Sequence, residues 1–182
     1  MGKTGREVVK KELPTLKRKL EIDTVILNGE NAAGGFGITP KICEEFYEIG
    51  VNIITTGNHV WDQKEIIPYI NKDEKLLRPI NYPNNTPGSG FIKYTDSLNR
   101  NLIIINVMGR VFMDPLNDPM ESIENIIKNY VLGENIQAII IDVHGEASSE
   151  KMAIGHAFDG RVSFIVGTHT HVPTNDGRIL KN

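Results

Sequence analysis

Cysteine is nearly absent from this sequence. Its 182 residues include a single cysteine, Cys43, so neither a disulfide framework nor a cluster of thiolate metal ligands can form within the chain. Such cysteine usage is typical of a reducing cytosol. We expect Cys43 to be a small, buried apolar residue.

Long apolar runs are also lacking. The first residues, MGKTGREVVKKEL, contain no apolar stretch of the kind found in secretion signals. No run elsewhere approaches the ~18 residues that span a bilayer. We therefore predict a cytoplasmic protein with no membrane partner.

The chain has little excess of either charge. Lys and Arg number 20 and Asp and Glu number 23, which gives a formal net charge of -3. Proteins that hold nucleic acid by its phosphate backbone present strongly basic surfaces, so the composition does not predict an extended nucleic-acid surface. A small anionic substrate would need a local positive centre, such as a metal ion.

Short apolar runs alternate with helical patterns along the whole chain. Without repeats or linkers, they predict one domain that comprises residues 1–182. Strands are predicted at 24–28, 51–56, 91–95, 101–107, 137–143 and 162–167. Helices are predicted around 9–20 with Pro14 as a kink or late start, at 40–49, at 121–132 and at 148–157. This alternation predicts a layered α/β fold with a largely parallel sheet.

Four of the predicted strands lead directly into short polar segments. These segments are GEN at 29–31, GNH at 57–59, HGE at 144–146 and THTH at 168–171. Asn-Gly pairs are common in turns and a lone histidine is usually structural, so any one segment is weak evidence. Functional sites of open α/β sheets form at the carboxyl ends of strands, so we expect the four segments to converge on one edge.

The side chains of these segments are of metal-ligand types. The candidates are Glu30, Asn31, Asn58, His144, His169 and His171. His169 and His171 are two residues apart, so both imidazoles point to the same side of an extended segment. A carboxylate, amide oxygens and imidazoles suit Fe, Mn or Zn better than Ca or Mg. Phosphate chemistry uses pairs of such ions about 3.5–4 Å apart, and Glu30 is the carboxylate placed to bridge them.

Three neighbouring residues allow more than one interpretation. Glu146 either orients His144 or faces solvent. Asp62 and Glu65 match a capping box at the start of a short helix, which makes Asp62 a helix cap rather than a ligand. Trp61 is expected in the core rather than as a platform for base stacking.

Six longer stretches carry a resemblance to a known family. They are NGENAAGGFGIT (28–39), TTGNHVWDQKE (55–65), RPINYP (78–83), INVMGRVFMDP (105–115), HGEASSEKMA (144–153) and DGRVSFIVGTHTHVPT (159–174). Together and in this order they resemble the bacterial YmdB-type branch of the calcineurin-like metallophosphoesterases. GNH followed by a lone His and then His-X-His is typical of the superfamily, and NGEN is typical of the branch.

The resemblance implies a four-layer αββα sandwich whose dinuclear metal centre hydrolyses phosphodiesters, including 2′,3′-cyclic nucleotides. It implies that Glu30 bridges both metals. Asn31 and His171 would serve the first metal, and Asn58, His144 and His169 the second. It implies His59 as the general acid, which protonates the leaving ribose oxygen while hydroxide attacks phosphorus in line.

The chain departs from the family pattern at both ends. The family begins with a strand ending in a Gly-Asp pair whose Asp ligates the first metal, and this strand has no counterpart before GKTGR at 2–6. The family also continues beyond the stretch equivalent to 178–180. We therefore expect an incomplete sandwich, weaker occupancy of the first metal, and exposed apolar surface that favours a homo-oligomer.

These departures leave two alternatives to a working phosphodiesterase. One is a catalytically impaired remnant of the family. The other is a non-enzymatic module that uses the same ligands only to hold a metal ion or a phosphate.

Overall fold

The structure, a computed structural model, describes residues 2–182 as helices packed against two sheets. The helices are α1 (Lys3–Lys19), α2 (Pro40–Glu48), α3 (Ile66–Ile70), α4 (Pro119–Ile127) and α5 (Ser148–Ala157). The strands are β1 (Ile26–Asn28), β2 (Ile53–Thr55), β3 (Leu76–Leu77), β4 (Phe91–Thr95), β5 (Asn101–Met108), β6 (Ala138–Gly145) and β7 (Phe164–His169).

The strands form one three-stranded and one four-stranded sheet. The first sheet has the order β1-β2-β3 and is parallel. The second has the order β4-β5-β6-β7, and β4 runs antiparallel to β5 while the other pairs are parallel. The α/β class and the mostly parallel pairing predicted from the apolar runs are confirmed. The single sheet expected from those runs is replaced by two.

Apolar cores lie on both faces of each sheet. Ile53 and Leu77 of the first sheet pack against Leu102 and Ile104 of the second, which places one core between the sheets. A second core joins the first sheet to α1, α2 and α3, and a third joins the second sheet to α4 and α5. Successive residues of β5 alternate between two cores, so this strand is apolar almost throughout.

Two helices differ from their predicted limits. Helix α1 begins at Lys3 and continues through Pro14, so a late start at the proline is wrong. Helix α4 begins at Pro119, where the Asp118 side chain accepts a hydrogen bond from the Glu121 N–H, and it ends at Ile127. The apolar residues that suggested a longer helix belong instead to a turn around Gly133, which has a φ of 81°.

Two further sequence predictions concern the burial of Cys43 and segments that could cross a membrane. Cys43 is fully buried in the core beneath α2, as predicted, and this burial raises the pKa of its thiol. None of the helices in residues 2–182 combines the length and the apolar character that a membrane crossing requires.

Candidate metal centre

The four polar segments meet where the two sheets come together. GEN and GNH follow β1 and β2 of the first sheet, while HGE and THTH lie at the ends of β6 and β7 of the second. Side chains bridge the sheets at this point, where Asn28 Nδ2 lies 3.1 Å from Asp142 Oδ2. The Thr56 N–H also donates to Asn106 Oδ1 over 3.2 Å. The segments therefore converge between two sheets rather than along the edge of one.

Three polar atoms surround one nitrogen of His144. Its Nε2 lies 3.0 Å from Glu30 Oε1, 3.1 Å from Asn58 Oδ1 and 3.1 Å from His169 Nδ1. An imidazole nitrogen carries at most one proton and cannot satisfy three such neighbours by hydrogen bonding. Ligand atoms of Glu30, His144 and His169 all lie within 4.8 Å of one another. This donor set fits a divalent cation of the borderline type.

Backbone geometry at two positions keeps these ligands close together. A Cβ atom at Gly57 would overlap the His144 imidazole, so only glycine leaves room for the ring beside GNH. His169 has a φ of 89°, a region that residues other than glycine rarely occupy. Such strain is retained where the surrounding structure requires it, and it clusters at functional sites.

Asn31 and His171 form a second, more open pair beside this cluster. Asn31 Nδ2 lies 3.0 Å from His171 Nε2 and 3.4 Å from Glu30 Oε2. Asn31 Oδ1 is buried and has no hydrogen-bond partner within residues 2–182. A buried carbonyl oxygen without a partner is costly, and a second cation would satisfy it. His171 is exposed and lines a cleft of about 340 Å³ with Glu30 and residues 167–174.

Electrostatics at the cluster favour the protonation states that bind metal. Burial would raise the pKa of Glu30, but the hydrogen bond and charge of His144 together with the His59 N–H hold it below its usual range. Burial, reinforced by His144, lowers the pKa of His169. An ionised carboxylate at Glu30 and a neutral imidazole at His169 are the forms that serve as ligands.

His59 lies next to the cluster with its side chain partly exposed. Its backbone N–H donates to Glu30 Oε1 over 3.1 Å, and its Nδ1 lies 2.8 Å from Asp62 Oδ2. The Phe36 ring contacts the imidazole edge-on at 5.1 Å between centroids. The predicted capping box is wrong, because α3 begins at Ile66 without a side-chain cap and Asp62 pairs with His59 instead.

Glu146 and Trp61 also have definite positions. Of the two alternatives for Glu146, the solvent-facing one is confirmed, and its Oε2 lies 3.2 Å from Nε2 of His169 rather than beside His144. Trp61 packs against the core of the first sheet and contacts Tyr82 edge-on at 5.8 Å, so its predicted place in the core is confirmed.

Asp142 is a polar residue of this region that was not identified from the sequence. It is 4% exposed and accepts hydrogen bonds from Thr55, Thr168 and Asn28. Burial raises the pKa of this carboxyl, and these three donors oppose the rise. The sequence did contain a pattern that indicates Asp142. It is an acidic residue inside an apolar strand, two positions before His144 and hence on the same face.

Comparisons with other proteins connect this geometry to a family. The sequence profile described as "YmdB-like protein" matches residues 1–182. The 2′,3′-cyclic-nucleotide 2′-phosphodiesterase of Bacillus subtilis (strain 168) is 46% identical over 180 residues, which cover 99% of this chain and 67% of that protein.

Two crystal structures are similar to the fold. A protein of Thermus thermophilus matches with a TM-score of 0.89 and 41% identity, over 98% of this chain and 68% of the other. A phosphatase of Mycoplasma pneumoniae matches with a TM-score of 0.89 and 36% identity, over 98% of this chain and 64% of the other. The chain thus spans about two thirds of the length of these relatives.

Proposed function

Because this chain belongs to the YmdB-like family, we propose that it is a metal-dependent phosphodiesterase that hydrolyses small phosphodiesters such as 2′,3′-cyclic nucleotides. The substrate class follows the name of the Bacillus subtilis relative. The observation that carries the proposal is the convergence of Glu30, Asn58 and His169 on one nitrogen of His144. Buried polar atoms in such an arrangement are stabilised by a cation rather than by one another.

The proposed cofactor is a pair of divalent ions, with Fe or Mn expected before Zn. Glu30 would bridge them, since its two oxygens face different partners, His144 on one side and Asn31 on the other. The remaining ligands of the first ion would be Asn31 and His171, and those of the second Asn58, His144 and His169. Within this proposal residues 1–182 form one domain of the calcineurin-like αββα type, because each sheet carries helices on its outer face.

The chain's own residues account for binding and proton transfer. When bound, two divalent ions would supply positive charge to the phosphate oxygens and an activated water as nucleophile. His59 would act as general acid, because Asp62 Oδ2 lies 2.8 Å from its Nδ1 and leaves Nε2 to pass a proton to the leaving oxygen. The exposed His171 side of the cleft would admit the substrate.

The test measures hydrolysis of 2′,3′-cyclic AMP and of a generic phosphodiester by the purified chain with Mn²⁺ or Fe²⁺. We expect His59→Ala to lower the rate by about 10²–10⁴, the usual contribution of general acid catalysis, while metal binding persists. His169→Ala should lose metal affinity and activity together. His156→Ala is the matched control, because His156 is an exposed histidine of α5 that contacts Arg178.

The outcomes separate the candidate functions. Equal rates for wild type, His59→Ala and His169→Ala would overturn the catalytic assignment. Metal binding that depends on His169 without hydrolysis by any of the proteins would instead support a non-enzymatic module that holds metal or phosphate. Association into a homo-oligomer and a cytoplasmic location stay predictions from the sequence.

A further inference from the structure

A buried hydrogen-bond chain leads from Asp142 through Thr168 to His144. The Thr168 hydroxyl donates to Asp142 Oδ1 over 2.7 Å, and Thr168 Oγ1 lies 3.0 Å from Nδ1 of His144. The three residues meet because β6 and β7 pair His144 with Thr168, while Asp142 lies on the same face of β6 two positions earlier. Asp142 is 4% exposed and His144 is 0% exposed, while Thr168 between them is partly buried.

The direction of each bond in this chain follows from its donors. The side chains of Thr55, Asn28 and Thr168 all donate to the Asp142 carboxyl oxygens, and a threonine hydroxyl has a single proton to donate. That proton points to Asp142, so Thr168 Oγ1 can act towards His144 only as an acceptor. The proton on His144 must then be on Nδ1, and Nε2 presents its lone pair to the opposite side of the ring, towards Glu30 and Asn58.

The Asp142 carboxylate is held from both sheets. Thr55 Oγ1 and Asn28 Nδ2, which belong to the first sheet, both donate to Oδ2, while Thr168 of the second sheet donates to Oδ1. Asn28 Nδ2 also lies 3.4 Å from Thr168 Oγ1, as a second donor to that oxygen. Thr55 and Asn28 thus share one oxygen of the carboxylate, and Thr168 donates to the other, so that Asn28 still holds Oδ2 when Thr55 is lost.

We propose that Asp142 is a positioning residue: acting through Thr168, it fixes His144 as the Nδ1–H tautomer, so that Nε2 is the nitrogen offered to a divalent cation. Because this role depends on the proposed metal centre, it deepens that function rather than adding another. Loss of a group that orients a metal-ligating histidine typically costs 10–100-fold in metal affinity.

Two threonine variants provide a matched test. Thr168→Val and Thr55→Val each replace a hydroxyl by a methyl group of similar size and each remove one donor from Asp142, but only Thr168 contacts His144. Titration with Co²⁺ alone, in competition with a chelator, measures affinity. In the Zn²⁺-loaded protein, ¹⁵N–¹H spectra of the imidazoles report the Nδ1–H proton of His144.

We expect Thr168→Val to bind Co²⁺ about tenfold or more weakly and to lose the slowly exchanging Nδ1–H signal. Thr55→Val should keep both the affinity and the signal, although both variants lose a buried hydrogen bond and should unfold at lower urea concentrations. Thr168→Ser retains the hydroxyl and should bind as wild type does, which covers the case in which the valine variant fails to fold.

Each other result has a definite meaning. Equal losses of affinity in Thr168→Val and Thr55→Val, or a serine variant that fails to keep wild-type affinity, would overturn the positioning role, since the effect would then come from packing. A wild-type chain that does not bind Co²⁺ at all would overturn the proposed metal centre itself.

Discussion

The two halves of the candidate centre differ in how they are supported. Around His144, the ligand atoms come from both sheets, and the imidazole is fully buried with its far side held by Thr168. Around Asn31, the partner is His171, an exposed residue on the segment after β7. Ligand side chains that are already fixed by burial and hydrogen bonds lose less conformational freedom when an ion binds. The buried half should therefore bind its ion tightly and the open half weakly.

The largest effect should come from removing the imidazole of His144, which lies at the centre of the buried half. His144→Ala takes away the atom that three neighbours share, leaves a cavity at a fully buried position and removes the contact with Thr168. Replacing a large buried side chain by alanine costs about 2–5 kcal/mol. We expect a loss of that size in the free energy of unfolding, measured with urea in the presence of chelator, and no tight binding of Co²⁺.

The matching substitution in the open half should behave differently. His171→Ala removes an exposed imidazole, and substitutions at exposed positions usually change stability by less than about 0.5 kcal/mol. Its effect should appear only in the weaker of two binding steps. If His171→Ala unfolded as easily as His144→Ala, the distinction between a buried and an open half would not hold.

The convergence of the polar segments could be predicted because each follows an apolar strand directly in sequence. The division into two sheets could not be derived from the apolar runs, since a strand buried on both faces has the same pattern whether a helix or another sheet covers it. Strand β3 was missed for a different reason: Leu76 and Leu77 alone are too short to form a pattern. Its existence depends on pairing with β2, a contact between distant parts of the chain.

The partners of charged side chains were the least predictable part of the site. Asp62 and Glu65 fit the local spacing of a capping box, yet Asp62 forms its contact with His59, because the turn around GNH brings that ring within 2.8 Å. Asp142 was assigned only to an apolar strand, although a buried acid requires donors from elsewhere in the fold. Local spacing thus identified which residues matter more reliably than it identified their contacts.

A smaller effect should come from the amide of the open half. Asn31→Ala removes the buried Oδ1 that has no partner within residues 2–182, together with the contact to His171. We expect the number of ions bound per chain at saturating Mn²⁺, measured by elemental analysis after gel filtration, to fall from two to one. The tight site should remain, because its ligands around His144 are unchanged.

The control for this measurement is Asn125→Ala, which removes an exposed asparagine from α4. It should bind the same number of ions as wild type. Two ions per chain in the Asn31→Ala protein would show that ion binding in the open half does not depend on this amide. The assignment of Asn31 as a ligand of that half would then be wrong.

The smallest effect should come from Glu146, an exposed residue whose carboxylate contacts His169 of the buried half. Its carboxylate lies 3.2 Å from His169 Nε2, but its side chain is 49% exposed, so water screens the interaction. Glu146→Gln should therefore weaken Co²⁺ binding only about threefold, well below the 10–100-fold cost of losing a buried orienting group. Glu134→Gln, in the exposed turn before β6, is the control and should leave the affinity unchanged. A loss with Glu146→Gln as large as with Thr168→Val would mean that charge near His169, rather than burial behind His144, determines the strength of this half.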